Sequence, residues 1–214
     1  MNQLPPFPLR GLYAISNGPR ADLVELCAGA LEGGAAILQY RDKSMDHDRR
    51  QHEARALQAL CARHRVPLII NDDIELARAV GAAGVHLGED DASFATARKR
   101  LGAAAIIGVS CYDSLDLARQ FAAAGADYLA FGAFFASPTK PQARHATTQL
   151  LLDAKALGKP LVAIGGITLD NAADLVDAGA DVVAVITALF GAQDVRRAAG
   201  DFARLFQPSS TSLR

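Results

Sequence analysis

Short apolar runs alternate with amphipathic, Ala- and Leu-rich stretches along the whole chain, and this alternation constrains the fold more than any other feature. The predicted strands are Leu12–Ile15, Ala36–Tyr40, Pro67–Ile70, Gly84–Leu87, Ile106–Val109, Tyr128–Phe131, Pro160–Ile164 and Val182–Ile186. The predicted helices are Asp22–Glu32, Asp48–His64, Ile74–Val80, Phe94–Leu101, Leu115–Ala124, Thr148–Leu157, Asn171–Ala178 and Asp194–Phe206. Eight strands, each followed by a helix, favour parallel pairing through right-handed crossovers, as in an α/β fold of the (β/α)8 TIM-barrel type.

A weak internal repeat supports this interpretation. An Ala-Gly pair precedes an apolar strand at Gly84, Gly125 and Gly179, and Gly33-Gly34 begins a looser fourth copy. In each copy we expect a helix to end, the glycine to take the left-handed cap position, and a strand to begin. The copies precede strands 2, 4, 6 and 8, as repeated units of a barrel would.

A doubly wound open sheet is the competing fold, and it usually carries a glycine-rich phosphate loop after its first strand. Here the first strand is followed by Ser16-Asn17-Gly18-Pro19, which lacks that glycine spacing, and the glycine pair follows strand 7 instead. We therefore predict one barrel domain over residues 1–214, with 1–10 and 208–214 as tails. This length lies near the lower end for such a barrel, which needs roughly 200 residues.

The charge balance and the lengths of the apolar runs limit the kinds of ligand and partner that the chain is expected to bind. The 22 basic and 23 acidic residues leave a formal charge of −1, so we expect small phosphorylated molecules as partners and neither nucleic acid nor a membrane. No apolar run approaches the roughly 18 residues of a membrane span, and the first ten residues do not resemble a signal peptide. The three cysteines have no metal-ligand spacing and are expected to stay reduced in the cytoplasm. The sequence leaves open whether the chain forms a homo-oligomer.

In barrels of this type the active site lies at the carboxyl ends of the strands. Strand 2 ends in Gln39-Tyr40-Arg41-Asp42-Lys43, and alternation places Gln39, Arg41 and Lys43 on one side. A guanidinium fork and an ammonium point charge together suit phosphate oxygens. The alternative is a solvated rim in which Arg41 pairs with Asp42.

The next two strands deliver acidic groups to the same rim. Strand 3 runs into Asn71-Asp72-Asp73, and Glu89-Asp90-Asp91 follows strand 4. Carboxylates beside phosphate-binding groups are typical of Mg²⁺ sites, and Asp72 and Asp91 are the candidate ligands. Asp73 is expected to cap the following helix. His86 lies between apolar strand neighbours, which favours a hydrogen-bonded core or supporting role over catalysis.

The remaining strands add hydroxyl groups and glycines. Strand 5 ends at Ser110, and the long connection after strand 6 contains Ser137-Pro138-Thr139-Lys140, either a cover for an anionic ligand or a surface excursion. Gly165-Gly166 follows strand 7, and Ile186-Thr187 ends strand 8. Loops 7 and 8 are the usual barrel site for a phosphate monoester, although a glycine pair can also mark a tight turn.

At these positions the sequence resembles the thiamine phosphate synthase family over nearly its whole length. The matching segments are Gln39-Tyr40-Arg41-Asp42-Lys43, Ile70-Asn71-Asp72-Asp73, Gly84-Val85-His86-Leu87-Gly88, Gly108-Val109-Ser110, Ser137-Pro138-Thr139-Lys140 and Ile164-Gly165-Gly166-Ile167-Thr168. The resemblance implies a transferase that joins a hydroxymethylpyrimidine diphosphate to a hydroxyethylthiazole phosphate, or its carboxylated tautomer, and releases diphosphate.

The resemblance also implies roles for individual residues. The pyrimidine diphosphate would contact Gln39, Tyr40, Arg41, Asp42, Lys43, Asn71, Ser110 and Lys140, of which Arg41, Ser110 and Lys140 would assist the chemistry. The thiazole phosphate would contact Ser137, Pro138, Thr139, Gly166, Ile186 and Thr187. Mg²⁺ would be held by Asp72 and Asp91, the latter chosen over the adjacent Asp90 by its spacing from Asp72. Glu89 departs from the family pattern, which commonly has Gln there.

Two other functions use the same barrel. A thiazole tautomerase of the sister family handles only the thiazole phosphate and does not need the metal carboxylates. A non-catalytic sensor of phosphate ligands would be expected to have lost part of the metal and lysine set. The presence of Asp72, Asp91 and Lys140 argues against both.

Overall fold

The computed structural model describes residues 10–88, 94–136 and 145–207. Eight parallel strands close into a barrel in sequence order, with β8 paired to β1. The strands are β1 Gly11–Ile15, β2 Ile37–Tyr40, β3 Leu68–Asn71, β4 Gly84–Leu87, β5 Ile106–Tyr112, β6 Tyr128–Phe131, β7 Leu161–Ile164 and β8 Val182–Val185. The predicted TIM barrel is therefore confirmed, and the open doubly wound sheet is excluded.

Helices surround the barrel as the alternation predicts. They are α1 Leu23–Glu32, α2 His47–His64, α3 Ile74–Val80, α4 Phe94–Leu101, α5 Leu115–Ala124, α6 Thr148–Ala154, α7 Leu169–Asp177, α8 Thr187–Phe190 and α9 Val195–Arg204. A 3-10 turn over Lys155–Leu157 extends α6, and the four-residue α8 was not predicted. No helix in these described ranges has the length and apolar character needed to cross a membrane.

Strand alternation divides the core into two layers. One cluster fills the barrel interior and includes Tyr13, Ile69 and Tyr128. A larger cluster lies between the barrel and the helices and includes Leu12, Leu38, Tyr40 and Ile70. Because neighbouring residues of a strand point to opposite faces, Gln39 faces the interior while Tyr40 faces the helices.

The glycine repeat is correct at two of its three main copies. Gly125 and Gly179 have φ of +91° and +104°, as predicted for residues that end a helix in the left-handed region. The prediction for Gly84 is wrong, because Gly81 is the left-handed cap of α3, with φ of +66°. Gly84 instead begins β4, where a Cβ would lie 1.7 Å from the carbonyl oxygen of Ile106. That close strand contact requires a glycine.

The aspartates after the repeated glycines fasten neighbouring strands to one another. The carboxylate of Asp181 accepts a hydrogen bond from the Leu161 N–H at 2.9 Å, and its own N–H donates to the Leu161 carbonyl. Asp127 makes the same pair of bonds to Ile107, with the carboxylate contact at 2.7 Å. The repeat therefore encodes a clamp at the amino end of the barrel.

Replacing Asp181 by Ala should lower the free energy of unfolding by about 1–3 kcal/mol, because the buried Leu161 N–H loses its acceptor. Asp177→Ala is the matched control, since Asp177 is exposed at the end of α7. Urea unfolding of both variants measures the difference, and equal stability would contradict the clamp.

Candidate active site

The carboxyl ends of β2 and β3 bring charged groups of both signs to one part of the barrel mouth. The Nζ of Lys43 lies 3.5 Å from Oδ2 of Asp72. The amide of Asn71 donates a hydrogen bond to the same carboxylate oxygen. Strand pairing sets Gln39 of β2 beside Ile69 of β3, two residues before Asn71. The basic and acidic groups predicted for this rim are therefore neighbours.

Asp72 adopts a backbone conformation that is uncommon for a side-chain-bearing residue. Its φ is +65°, which costs on the order of 1 kcal/mol outside glycine. Its N–H donates to the His86 carbonyl at 2.9 Å, which ties the end of β3 to β4. Strain of this kind is concentrated at functional sites, where the surroundings hold it in place.

Asp73 performs the structural role predicted for it. Its Oδ1 accepts from the Leu76 N–H at 2.8 Å and caps α3. Its Oδ2 accepts from Arg50 at 2.8 Å. Both carboxylate oxygens of Asp73 are thus engaged by α2 and α3, whereas the Asp72 carboxylate contacts Lys43 and Asn71 at the mouth.

Arg41 is anchored through its backbone while its side chain remains available. Its N–H donates to the Ser16 hydroxyl at 2.9 Å, and the Ser16 N–H donates to the Gln39 carbonyl at 2.9 Å. Among the described residues, no hydrogen bond or ion pair engages the Arg41 guanidinium. Ser16 is fully buried and was not predicted, although its position directly after β1 satisfies the same strand-end rule that selected Arg41.

Two residues of the predicted substrate set have side chains that are engaged by α2 and by the turn after β2. The Tyr40 hydroxyl donates to Glu53 on α2 at 2.7 Å. The Asp42 carboxylate lies 2.7 Å from Arg49 of the same helix, and its other oxygen accepts from the Ser44 N–H. Both side chains point away from the mouth because strand alternation turns them towards the helices. Their contact with the pyrimidine diphosphate remains a prediction.

The same geometry rejects the alternative interpretation of Arg41. Burial opposes ionisation of Asp42, but the hydrogen bonds from Ser44 and the partnership with Arg49 outweigh it and hold the pKa of Asp42 below its usual value. Asp42 is therefore an anion that is neutralised by Arg49. The predicted alternative, in which Arg41 pairs with Asp42, is wrong.

A chain of hydrogen bonds crosses the barrel interior beneath the mouth. The Gln39 amide donates to the Tyr13 hydroxyl at 2.8 Å, which lies 2.9 Å from the Tyr128 hydroxyl. Tyr128 lies 2.9 Å from Nδ1 of His86, and Nε2 of His86 lies 2.9 Å from the Ser110 hydroxyl. The hydrogen-bonded role predicted for His86 is confirmed, and two predicted substrate residues, Gln39 and Ser110, are the ends of this chain.

Gly108 leaves the space that Tyr128 needs to take part in this chain of hydrogen bonds. Strand register places it between His86 of β4 and Tyr128 of β6, and a Cβ at this position would lie 1.8 Å from the Tyr128 ring. The rings of His86 and Tyr128 consequently stack, with centroids 5.6 Å apart. The glycine of the Gly108-Val109-Ser110 segment thus serves the barrel interior.

The glycine pair after β7 is packed against the connection that follows β6. Gly165 and Gly166 have φ of +103° and +64°. A Cβ on Gly166 would lie 2.7 Å from the carbonyl oxygens of Phe135 and Ala136. This packing explains why both positions are glycine, and it agrees with the alternative interpretation of the pair as a tight turn. The role of Gly166 in binding phosphate remains a prediction.

The other predicted residues divide into two groups. Ile186 immediately precedes α8, and the exposed Thr187 begins it, so both lie at the carboxyl end of β8. Asp91, Ser137, Pro138, Thr139 and Lys140 lie outside the described residues, and their roles remain predictions. Within the described ranges, no three His, Cys, Asp or Glu side chains form a group suited to a metal ion. Asp72 is the candidate ligand that these ranges supply.

Comparisons with known proteins agree with this geometry. A family model described as thiamine monophosphate synthase matches residues 12–189. The thiamine-phosphate synthase of Thiobacillus denitrificans is 56% identical over 200 residues, covering 92% of this chain and 94% of the relative. That of Nitrosococcus oceani is 54% identical over 204 residues, covering 92% and 93%. A solved structure, thiamine phosphate pyrophosphorylase from Pyrococcus furiosus, matches with a TM-score of 0.84 at 33% identity, covering 92% of this chain and 96% of that one.

Proposed function

Because the chain belongs to the thiamine monophosphate synthase family, its activity is that of a transferase that forms thiamine phosphate, and we propose how the barrel mouth carries it out. The substrates are 4-amino-2-methyl-5-(diphosphooxymethyl)pyrimidine and hydroxyethylthiazole phosphate or its carboxylated tautomer. The observation that carries the proposal is the assembly of Arg41, Lys43, Asn71 and Asp72 at one rim, with the Arg41 guanidinium unengaged by other described residues.

Arg41 and Lys43 hold the diphosphate in this proposal. A guanidinium can donate two parallel hydrogen bonds to phosphate oxygens, and an ammonium adds a point charge. Lys140, on the connection after β6, would complete this basic set. Gln39 and Ser110, at the two ends of the interior hydrogen-bond chain, hold the pyrimidine portion.

The residues present suit a bound Mg²⁺. Asp72 offers a carboxylate at the mouth in a conformation that its neighbours hold under strain, and hard divalent cations prefer such oxygen ligands. Asp72 and Asp91 would hold the ion. When bound, Mg²⁺ would neutralise part of the charge of the diphosphate.

The chemistry exchanges one bond to the pyrimidine methylene for another. The carbon–oxygen bond to diphosphate breaks with its electron pair leaving on the diphosphate, and the electron-rich aminopyrimidine carries the positive charge left on the methylene. The thiazole nitrogen then supplies the electron pair for the new carbon–nitrogen bond, and the carboxylated substrate also loses its carboxylate as carbon dioxide. No general base has to act on this nucleophile, so the chain contributes positioning and electrostatic stabilisation through Arg41 and Lys140.

The thiazole phosphate is assigned to the opposite side of the mouth. Gly166, Ile186 and Thr187 follow β7 and β8, where barrels commonly bind phosphate monoesters. Ser137, Pro138 and Thr139 would also contact it, as the family resemblance implies. The contact of Phe135 and Ala136 with Gly166 supports this assignment, because it brings the beginning of that connection to β7.

The proposal extends to location and partners. We place the reaction in the cytoplasm, which suits three buried and unpaired cysteines, whose thiol pKa values burial raises to about 12. The proposed ligands are small phosphorylated molecules, with no nucleic acid or membrane partner, and self-association into a homo-oligomer would be compatible with the activity.

Diphosphate release on mixing the protein with both substrates and Mg²⁺ tests the function. We expect release only when both substrates and the metal are present, with thiamine phosphate formed in equal amount. Conversion of the carboxylated thiazole phosphate alone, without diphosphate release in the full mixture, would identify a tautomerase. Binding without turnover would identify a sensor.

Two variants test whether the two substrates bind at separate sides of the barrel mouth. Thr187→Val should weaken binding of the thiazole phosphate about tenfold, the worth of one hydrogen bond to a charged group, and leave pyrimidine diphosphate binding unchanged. Gly166→Ala should impair both ligands and lower stability, because its Cβ meets two backbone oxygens of the β6 connection. Calorimetric titration with each substrate separates these outcomes, and an equal loss of both ligands in Thr187→Val would contradict the layout.

A further inference from the structure

The orientation of the Gln39 amide, with its nitrogen towards Tyr13, sets the direction of the interior hydrogen-bond chain. The Gln39 amide nitrogen can only donate, so the Tyr13 hydroxyl oxygen accepts at that contact. The other described partner of the Tyr13 hydroxyl is Tyr128, at 2.9 Å. Because Tyr13 is 1% exposed, an unmatched hydroxyl proton there would be costly. Tyr13 therefore donates to Tyr128.

The donor and acceptor roles of Tyr128 and His86 follow from that of Tyr13. With its oxygen accepting from Tyr13, Tyr128 directs its own proton to Nδ1 of His86. A neutral imidazole that accepts at Nδ1 carries its proton on Nε2. That nitrogen faces Ser110 at 2.9 Å, so His86 donates to the Ser110 hydroxyl oxygen.

The hydroxyl groups of Tyr13 and Tyr128 both keep the protons that this order of hydrogen bonds requires. Burial is the largest influence on each, and it raises the pKa of Tyr13 and that of Tyr128 above the ordinary value for tyrosine. Neither tyrosine is ionised in the physiological range. Both tyrosines therefore keep their hydroxyl protons, and only the direction in which those protons point can change.

We propose that Tyr13, Tyr128 and His86 form a directional relay that makes Ser110 a hydrogen-bond donor towards the barrel mouth and leaves the carbonyl oxygen of the Gln39 amide as the acceptor at the other end. Ser110 accepts from His86, so its own proton is available for a ligand. The three residues are positioning residues, because they act on substrate through Gln39 and Ser110. This inference deepens the proposed function and rests on it for the identity of the ligand, a pyrimidine diphosphate.

The reverse order makes an opposite prediction. If the Gln39 amide were rotated, Tyr13 would donate to its oxygen, Nδ1 of His86 would carry the proton, and Ser110 would donate inward to Nε2. Ser110 would then offer only an acceptor to the mouth. An anionic or ring-nitrogen acceptor of the substrate would find no donor there, so the two orders differ in both tautomer and binding.

Nitrogen NMR of histidine-labelled protein without substrates tests the direction. We expect the His86 resonances, assigned by their loss in His86→Gln, to show the proton on Nε2. A proton on Nδ1 in the unmodified protein would overturn the proposal. Because no substrate is needed, this result is independent of whether the protein forms thiamine phosphate.

Tyr128→Phe tests whether the relay imposes the tautomer. The ring is kept in the space above Gly108, but Nδ1 of His86 loses its donor. We expect the tautomer to become mixed and kcat/KM for the pyrimidine diphosphate to fall about tenfold, with KM for the thiazole phosphate unchanged. Asp181→Ala is the matched control, since it removes a hydrogen bond at the amino end of the barrel, away from the mouth, and it should change neither quantity.

The outcomes separate the relay from a structural role. An unchanged His86 tautomer in Tyr128→Phe, or a loss of activity equal to that in Asp181→Ala, would overturn the proposal. Thermal unfolding of both variants shows whether they remain folded. Absence of diphosphate release from the unmodified protein would instead refute the proposed function and leave the tautomer result standing.

Discussion

Asp72→Asn is expected to reduce the rate of thiamine phosphate formation by roughly 10²-fold or more, because a carboxylate charge that would hold Mg²⁺ against the diphosphate is removed. Asparagine is nearly the same size and tolerates the left-handed conformation that Asp72 adopts. The substitution therefore removes charge without adding backbone strain. Initial rates of diphosphate release across a series of Mg²⁺ concentrations measure the effect.

The adjacent aspartate provides a control that differs by one position. Asp73 caps α3 and binds Arg50, and asparagine is also a good cap, so Asp73→Asn should retain activity. Removal of the metal with a chelator should abolish turnover of the unmodified protein, and added Mg²⁺ should restore it. Full turnover of Asp72→Asn at saturating Mg²⁺ would exclude Asp72 as the ligand.

The barrel could be predicted because its pattern repeats along the chain. Eight strand-and-helix units each bury one apolar face, which favours parallel strands joined by right-handed crossovers. The four-residue α8 was missed because it is too short to show helical periodicity. The extension of β5 to Tyr112 was missed because the pairing with β6 shifts between Ser110 and Tyr112, which interrupts strand alternation.

The charged rim could also be predicted, since strand alternation selects Arg41 and Lys43 and rejects their neighbours. By the same rule Tyr40 and Asp42 lie on the other face, and only the family resemblance includes them in the pyrimidine-diphosphate segment. In the structure Tyr40 contacts Glu53 and Asp42 contacts Arg49, both on α2. The sequence around β2 contains no pattern that predicts these contacts.

The interior relay could not be found from local sequence. Tyr13 and Tyr128 are separated by 115 residues, and each resembles an ordinary core tyrosine within its own strand. Only closure of the barrel brings their hydroxyls together between Gln39 and His86. Buried hydrogen-bond networks of this kind depend on tertiary geometry, whereas strand and helix periodicity depends on neighbours in the chain.

Arg41→Ala is expected to lower kcat/KM for the pyrimidine diphosphate by about 10²-fold, comparable to the loss of one preorganised donor to developing negative charge. Arg41→Lys should recover only part of this, because an ammonium cannot make the two parallel bonds of a guanidinium. Arg55→Ala, on the exposed face of α2, is the matched control for removal of one positive charge and should retain activity. Steady-state kinetics with each substrate varied in turn distinguish the cases, and the KM for the thiazole phosphate should not change. Full recovery in Arg41→Lys would show that charge alone suffices, and equal losses for both substrates would show that Arg41 does not belong to a separate diphosphate site.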